Sequence, residues 1–222
     1  MFPPAVIFDF DGVIVDTEPV HYQAFQRILE PLGLGYSWEA YKKIYMGYDD
    51  RDAFKEAFRA DNRSLDDTQM RYYIDQKALL FENIIASGVT PYPGVIELIK
   101  TLAGQSIPLV ICSGALRSDI LPILQQFDIT SYFNTIITAE DVPQSKPHPA
   151  SYLQAKAALI SAYNQLESVS TTITAIEDTP AGISSAKGAG LQVVAVTNSY
   201  DAEKLEQADR VVRTLEELVD AW

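Results

Sequence analysis

The sequence predicts an α/β protein in which a parallel sheet is interrupted, after its first strand, by a helical insertion. Three observations indicate this fold class: short apolar runs recur along the chain, segments of helical periodicity separate them, and one long stretch is helical in pattern throughout. Because strand and helix alternate, each helix is expected to cross over between parallel strands in the right-handed sense.

Short apolar runs bounded by turns mark the predicted strands, since a strand buried on both faces of a parallel sheet is apolar throughout. The first run is Ala5–Phe8, which ends at Asp9. Later runs of the same kind are Pro108–Cys112, Thr172–Ile176 and Gln192–Val196, with a weaker one at Thr135–Thr138.

Segments with apolar residues at helical spacing fill the gaps between these strands. In the first of them, Val95, Leu98, Ile99 and Leu102 form one apolar face. The predicted helices of this part of the chain are Gly94–Ala103, Ser118–Phe127, Pro149–Leu159 and Gly182–Ala189.

The stretch after the first strand contains no run of the strand type and is rich in Tyr, Phe, Gln, Lys and Glu. Its helical patterns cover Tyr22–Leu32, Trp38–Tyr45, Arg51–Ala60 and Thr68–Ile85. We predict a helical domain of residues 17–88 inserted into an α/β domain of residues 1–16 and 89–222. The expected hinges are Asp16–Glu18 and Gly88–Gly94, and glycine and proline cluster in the second.

Charge narrows the class of partner. The 222 residues include 30 acidic and 17 basic side chains, which gives a net charge of −13. This balance argues against nucleic acid and against an anionic membrane, because both attract basic patches. Residues 17–88 hold 12 acidic and 9 basic side chains, net −3, so the other −10 lies on the α/β domain.

Cysteine content and hydropathy indicate the compartment. The single Cys112 excludes an intramolecular disulfide and fits a reducing environment. No basic residue precedes the first apolar run, and no run approaches the roughly 18 apolar residues of a membrane helix. We therefore expect a cytoplasmic protein with neither a signal peptide nor a membrane anchor.

Two carboxylates, Asp9 and Asp11, follow the first predicted strand, at the sheet edge where open α/β folds bind ligands. Residues i and i+2 of extended chain share a face, and two carboxylates on one face repel unless a cation lies between them. A hard cation such as Mg²⁺ suits that position. The alternative is a pair of solvated acids at the end of a strand.

Two further strand ends carry residues that suit a phosphate group. Ser113 offers a hydroxyl and Gly114 a backbone N–H just after the strand that ends at Cys112. Lys146 follows a third strand, in a loop that Pro147 and its neighbours stiffen, and a fixed ammonium neutralises a phosphate or an aspartate. Taken singly, they also fit a helix-capping serine and a surface lysine.

Glu177 and Asp178 end a fourth strand and precede a helix. Alone, this acid pair could cap the helix. The carboxyl ends of parallel strands lie along one edge of a sheet, so all four groups can converge there. Chance placement of an Asp pair, a serine, a lysine and an acid pair at four strand ends is improbable.

These motifs, in this order, resemble those of the haloacid dehalogenase-like hydrolase superfamily. The closest resemblance is to the branch with a helical cap inserted after the first motif, which contains β-phosphoglucomutase and phosphoglycolate phosphatase-like enzymes. The resemblance covers essentially the whole chain. It implies a Rossmann-like parallel-sheet core and an inserted helical-bundle cap domain.

The resemblance also implies the catalytic roles. Asp9 is expected to be the nucleophile that accepts the phosphoryl group, and Asp11 the general acid/base. Ser113 is expected to bind the transferring phosphate beside the backbone of Gly114, and Lys146 to steady both Asp9 and the phosphate charge.

The cofactor that the resemblance implies is Mg²⁺. Asp178, together with Glu177, is expected to hold the ion with the Asp9 carboxylate and the Asp11 backbone carbonyl. Dehalogenation needs no metal, so the acid pair argues for phosphoryl transfer.

The substrate that the resemblance implies is a small phosphorylated metabolite. His21 lies where the mutases have a histidine that links the cap to the acid/base aspartate, although a half-buried structural histidine fits equally. The mutases have an asparagine where this chain has Arg117, and Lys77 lies about one helical turn from the position of their cap lysine. These departures favour a phosphatase over a β-phosphoglucomutase-like phosphomutase.

The expected substrate class is a sugar phosphate or a phospho-acid. Within it, Arg51 and Arg117 together favour a substrate with a second acidic group, such as a bisphosphate or a phospho-acid. A non-enzymatic binding member of the fold is the third alternative, which the complete set of motif carboxylates disfavours. We expect a monomer or a weak homodimer.

Overall fold

The computed structural model describes residues 2–46, 48–219 and 221–222. The chain divides into two compact units, an α/β unit of Met1–Asp16 with Thr90–Trp222 and a helical unit of Thr17–Val89. In the described part of the chain, no helix is both long enough and apolar enough to span a bilayer.

The α/β unit is built on a parallel sheet. Its strands are β1 (Val6–Phe8), β2 (Leu109–Cys112), β3 (Phe133–Ile137), β4 (Thr174–Glu177), β5 (Gln192–Val196) and β6 (Arg210–Val212). They are ordered β3-β2-β1-β4-β5-β6, so β1 lies at the centre, with Phe8 paired to Ile111 on one side and to Ile176 on the other. All residues of β1, β2 and β4 are buried, as the apolar sequences of β1 and β2 predict, and in β4 these buried residues include Thr174 and Glu177. The predicted α/β class with a parallel sheet is confirmed.

The helical unit contains α1 (Glu18–Leu29), α2 (Trp38–Ala40), α3 (Asp50–Ala60) and α4 (Asp67–Ile85). A turn of 3₁₀-helix, Glu30–Leu32, follows α1, and a π-helical segment, Tyr41–Tyr45, continues α2. Apolar faces of these helices form a core of their own. Its buried residues include Phe25, Leu29, Phe54, Phe58 and Met70.

Helices α5 (Val95–Gly104), α6 (Arg117–Gln126), α7 (Ala150–Ala162), α8 (Pro180–Gly188) and α9 (Glu216–Val219) belong to the α/β unit. Helix α8 begins at Pro180, two residues before the predicted start at Gly182, because the Thr179 hydroxyl caps the helix by accepting a hydrogen bond from the Gly182 N–H at 3.0 Å and proline suits the first turn. Tyr152 and Leu159 of α7 and Ile183 of α8 pack with Ile7 and Val193 of the sheet in one core.

Three strands differ from the sequence-based expectation by more than one residue. β3 begins at Phe133 instead of Thr135 and ends at Ile137 instead of Thr138. β4 begins at Thr174 instead of Thr172, because Thr172 ends a 3₁₀-helical segment, Asn164–Thr172. As a result Glu177 is the last residue of the strand itself. The short β6 was not predicted, since three residues with one exposed arginine make too weak an apolar run to be recognised.

Candidate active site

The carboxyl ends of the central strands bring the predicted groups together. Asp9 directly follows β1, and its N–H donates to the Ile176 carbonyl of β4 at 2.9 Å, which extends the strand pairing to this residue. Ser113 follows β2 and is held by its N–H, which donates to the Ile137 carbonyl of β3 at 2.9 Å. The Asp9, Ser113 and Glu177 side chains are all at least nine-tenths buried.

Lys146 joins three of these strand ends. Its Nζ lies 2.9 Å from Asp9 Oδ1 and 2.7 Å from Glu177 Oε1, and it donates to the Cys112 carbonyl at 3.1 Å. An ammonium group has three hydrogens, and these contacts account for all of them. Burial acts to lower the pKa of Lys146, but the charges of Asp9 and Glu177 together outweigh it and raise the pKa, so the side chain is a fixed cation.

Glu177 accepts hydrogen bonds on both carboxylate oxygens. Oε1 takes the Tyr152 hydroxyl at 2.7 Å as well as Lys146. Oε2 takes the Asp178 N–H at 3.1 Å, and the Thr179 N–H and hydroxyl at 3.4 and 3.2 Å. Burial opposes ionisation, but Lys146 and these donors outweigh it and lower the pKa of Glu177, so the group is a carboxylate.

Three carboxylates form the candidate metal centre. Asp9, Glu177 and Asp178 each offer an oxygen atom, and these atoms lie within 4.8 Å of one another. Burial raises the pKa of both Asp9 and Asp178 well above the usual range, and the negative charge of Glu177 is the second largest cause. A bound cation would remove this cost of burying like charges together.

The surroundings of Asp178 fit an oxygen-liganded cation. Its Oδ2 accepts a hydrogen bond from Ser199 Oγ, whereas Oδ1 is buried and has no hydrogen-bond partner among the described residues. Buried polar oxygens of this kind are rare unless an ion or water serves them. Gly12 creates the space: its φ is +77°, and a Cβ there would lie 1.8 Å from Asp178 Oδ2. These residues therefore fit Mg²⁺.

Asp11 lies in the tight turn that this glycine makes. Gly12 donates its N–H to the Val15 carbonyl at 2.9 Å, and the Gly12 carbonyl accepts from Asn198 Nδ2 at 2.7 Å. Asp11 itself is half-buried. The Asp11 carboxylate is not one of the three that form the candidate metal centre. The expected contact of the Asp11 backbone carbonyl with the metal stays a prediction.

Ser113 has the geometry of a phosphate-binding hydroxyl. Its Oγ accepts the Ala115 N–H at 3.0 Å, and a hydroxyl that accepts in this way retains its own hydrogen for donation. Gly114 is exposed beside it. The neighbouring Cys112 thiol is buried, which raises its pKa to about 12, so it is not a nucleophile at neutral pH.

Arg117 begins α6 and is held by the end of β3 and the loop that follows. The Arg117 guanidinium donates to the Ile136 carbonyl at 3.0 Å and to Asp141 Oδ2 at 2.8 Å. The Arg117 backbone N–H donates to Glu140 Oε2 at 3.0 Å. Its expected contact with the substrate stays a prediction.

His21 and Arg51, the predicted site residues of the helical unit, differ in environment. Arg51 is exposed in the first turn of α3. His21 is half-buried, with Nδ1 2.7 Å from Lys77 Nζ, and its ring lies on Phe81 at 4.5 Å between centroids. Lys77 is fully buried and pairs with Asp50 Oδ1 at 2.9 Å.

Some side chains of these groups were missed by the sequence-based reasoning, and Lys77 was considered only as a displaced counterpart of the mutases' cap lysine. Lys77 had a usable signal: it lies four residues before Phe81 and seven after Met70, on the apolar face of α4. Tyr152, Thr179 and Ser199 had none, since each is an ordinary core, capping or loop residue by pattern.

Comparison with known proteins places the chain in a family. The model of the haloacid dehalogenase-like hydrolase family matches residues 6–196. The chain belongs to this family and is an enzyme of the hydrolase class, which confirms the resemblance read from its motifs.

Curated relatives of similar length include a phosphorylated carbohydrates phosphatase of Thermotoga maritima, 28% identical over 212 residues that cover 93% of this chain and 92% of the relative. A phosphoglycolate phosphatase of Mesorhizobium japonicum is 28% identical over 97% of this chain and 89% of its own length.

Solved structures agree with the fold. CbbY from Rhodobacter sphaeroides in complex with phosphate superposes with a TM-score of 0.85 at 23% identity, covering 98% of this chain and 96% of that one. A β-phosphoglucomutase from Clostridium difficile gives 0.83 at 22% identity, with coverage of 98% and 93%. At these identities the likeness establishes the fold alone.

Proposed function

We propose that the protein is a Mg²⁺-dependent phosphatase that hydrolyses a small phosphorylated metabolite through an aspartyl-phosphate on Asp9. The observation that carries this proposal is the buried Asp9 carboxylate, which is oriented by two donors on Oδ1: Lys146 at 2.9 Å and the Phe10 N–H at 2.7 Å. A carboxylate held in this way, beside a fixed cation and two further acids, is suited to attack a phosphoryl group.

In the first step an Asp9 oxygen attacks phosphorus, and the bond from phosphorus to the ester oxygen breaks. Asp11 gives its proton to the leaving alcohol oxygen. In the second step Asp11 takes a proton from water, the water oxygen attacks phosphorus, and the bond to Asp9 breaks. Inorganic phosphate leaves, and both aspartates return to their starting states.

The remaining groups serve the phosphoryl oxygens. Lys146, the Ser113 hydroxyl and the Gly114 N–H bind them and keep the reacting atoms in line. Of the residues expected to hold Mg²⁺, the proposed ligands are Asp9 and Asp178, with the Asp11 backbone carbonyl, and Glu177 lies beside them. When bound, the ion supplies the positive charge that offsets repulsion between a phosphate and these carboxylates.

The substrate class we propose is a sugar phosphate or a phospho-acid. Relatives that are named as phosphatases of phosphorylated carbohydrates and of phosphoglycolate support it. His21, Arg51 and Arg117 are the proposed contacts with the part of the substrate that does not react.

The test is phosphate release from a panel of sugar phosphates and phospho-acids, with Mg²⁺ and with a chelator in its place. Asp9→Asn should abolish turnover, because an amide oxygen is a far weaker nucleophile. Asp128→Asn, the same change at an exposed position of the α/β unit, is the control and should retain full activity. Undiminished turnover by Asp9→Asn would refute the nucleophile, and hexose phosphate interconversion without phosphate release would indicate a mutase.

A further inference from the structure

Tyr152 lies directly behind the proposed catalytic groups. It is the third residue of α7 and is completely buried. Its hydroxyl donates to Glu177 Oε1 at 2.7 Å, and Lys146 Nζ lies 5.0 Å from the centroid of its ring. One rigid side chain therefore contacts both members of the Lys146–Glu177 ion pair.

Glu177 and Asp178 are neighbours in sequence, but their carboxylates differ in how many hydrogen bonds they accept. Both have an oxygen within reach of the candidate metal centre. The Glu177 oxygens already accept from Lys146, Tyr152 and three donors at Asp178 and Thr179. Since a carboxylate has about four lone-pair sites, this group is fully occupied. Asp178 Oδ1, in contrast, is buried without a hydrogen-bond partner among the described residues.

We propose that Tyr152 is a positioning residue that keeps Glu177 on Lys146 and out of the coordination of the metal. The inference rests on the proposed function. In this arrangement the two acids have separate roles: Asp178 binds the cation, while Glu177 holds the Lys146 ammonium that steadies Asp9. The Tyr152 hydroxyl keeps these roles separate, because it donates to Oε1, the same Glu177 oxygen that Lys146 contacts.

Removal of this hydroxyl has a consequence that lost packing would not have. In Tyr152→Phe, Glu177 Oε1 loses a donor and becomes a better ligand for a cation. Metal binding should therefore become tighter while catalysis becomes slower, since Lys146 is then less firmly held. A side chain that merely supported the fold would weaken both or change neither.

The experiment is a Mg²⁺ titration of the purified, substrate-free protein by calorimetry, together with steady-state kinetics. For Tyr152→Phe we expect Mg²⁺ affinity to rise by about tenfold or more, the effect of losing one hydrogen bond to a charged group. We expect kcat to fall about tenfold with KM little changed, as for other residues that orient catalytic groups. Tyr163→Phe is the matched control: it removes a hydroxyl at the other end of α7, where Asn134 Nδ2 donates to it at 2.7 Å, and should change neither quantity.

Variants of the acid pair keep the inference testable even if Tyr152→Phe folds poorly. Glu177→Gln should leave Mg²⁺ affinity within about threefold of wild type while slowing turnover, and Asp178→Asn should weaken Mg²⁺ binding at least about tenfold. In the double variant Tyr152→Phe/Glu177→Gln the tightening should disappear, because the freed ligand is gone.

Two results would overturn the positioning role. One is a Tyr152→Phe protein that is folded and binds Mg²⁺ no more tightly than wild type. The other is a Glu177→Gln protein that loses as much Mg²⁺ affinity as Asp178→Asn, which would make Glu177 a ligand. If a variant gives either result while the wild-type enzyme is an active phosphatase, the proposed phosphatase function still stands. A wild-type protein that binds no Mg²⁺ would refute this inference and the metal dependence of the proposed function together.

Discussion

Gly12→Ala tests whether the tight turn after β1 exists to make room for Asp178. Gly12 and Gly33 have nearly the same positive φ, +77° and +74°. A Cβ at Gly33 meets no atom of the described residues within 4 Å, whereas one at Gly12 lies 1.8 Å from Asp178 Oδ2. The two alanine variants therefore share the backbone strain and differ in the collision with the carboxylate.

The expected costs follow from these contacts. Left-handed backbone costs an alanine about 1–2 kcal/mol, and the stiffer unfolded chain returns about 0.4–1 kcal/mol, so Gly33→Ala should lower the free energy of unfolding by about 1 kcal/mol. In Gly12→Ala the contact must open from 1.8 Å to about 3.0 Å, which moves the Asp178 carboxylate by about 1 Å. Forcing a buried group aside adds about 1–3 kcal/mol.

Activity should separate the two variants more clearly than stability does. A displacement of about 1 Å in a catalytic group costs roughly 100-fold in rate, so kcat of Gly12→Ala should fall by about that factor. Gly33→Ala should keep wild-type kcat. The measurements are urea unfolding followed by circular dichroism, and phosphate release at saturating Mg²⁺. If folded Gly12→Ala retains as much activity as Gly33→Ala, the steric argument for Asp178 is wrong.

Two further predictions concern charge. Lys146→Met leaves buried carboxylates without their cation and should lower the free energy of unfolding by about 3–5 kcal/mol. The control, Lys187→Met, breaks an exposed ion pair and should lower it by less than about 1 kcal/mol. Equal losses of the two variants in urea unfolding would contradict the value for Lys146→Met. Burial of Asp141 favours its neutral form, but hydrogen bonds from Thr138 and the positive charge of Arg117 outweigh burial and lower the pKa of Asp141. The stability that the ionised Asp141 contributes is therefore complete above the unfolded pKa of about 3.9, and it is lost as the pH falls through the lower pKa of the folded state. Asp141→Asn should therefore lose less stability than wild type when the pH of the unfolding measurement is lowered from about 5 to about 2.5, and identical losses would refute the assignment.

The central strands and their chemistry were accessible from the sequence because both depend on short-range pattern. The apolar runs before Asp9 and Asp178 are long enough to be recognised as buried strands, and parallel pairing then places their ends at one edge. Strand β6 was not accessible in this way. Its three residues are a strand because β5 lies beside them, with Val194 paired to Arg210.

Buried polar partners were harder to predict than strand ends. Tyr152 has the pattern of a core residue of α7, and its meeting with Glu177 depends on how that helix packs on the sheet. The pairing of Lys77 with Asp50 depends likewise on the packing of α4 against α3. Sequence pattern reports which residues are apolar or charged, and it contains no information on which polar atoms from distant segments come within 3 Å.

By itself, the sequence determined which groups this protein has for its chemistry and at which strand ends they lie. Order along the chain and the parallel sheet are sufficient for that conclusion. The tertiary structure decided which partners each group has. Lys146 bridges Asp9 and Glu177, Glu177 is fully hydrogen-bonded, and one buried oxygen of Asp178 has no donor within the described part of the chain. The physical reason is that hydrogen bonds require contacts near 3 Å, and only the packed fold brings side chains from separate segments within that distance.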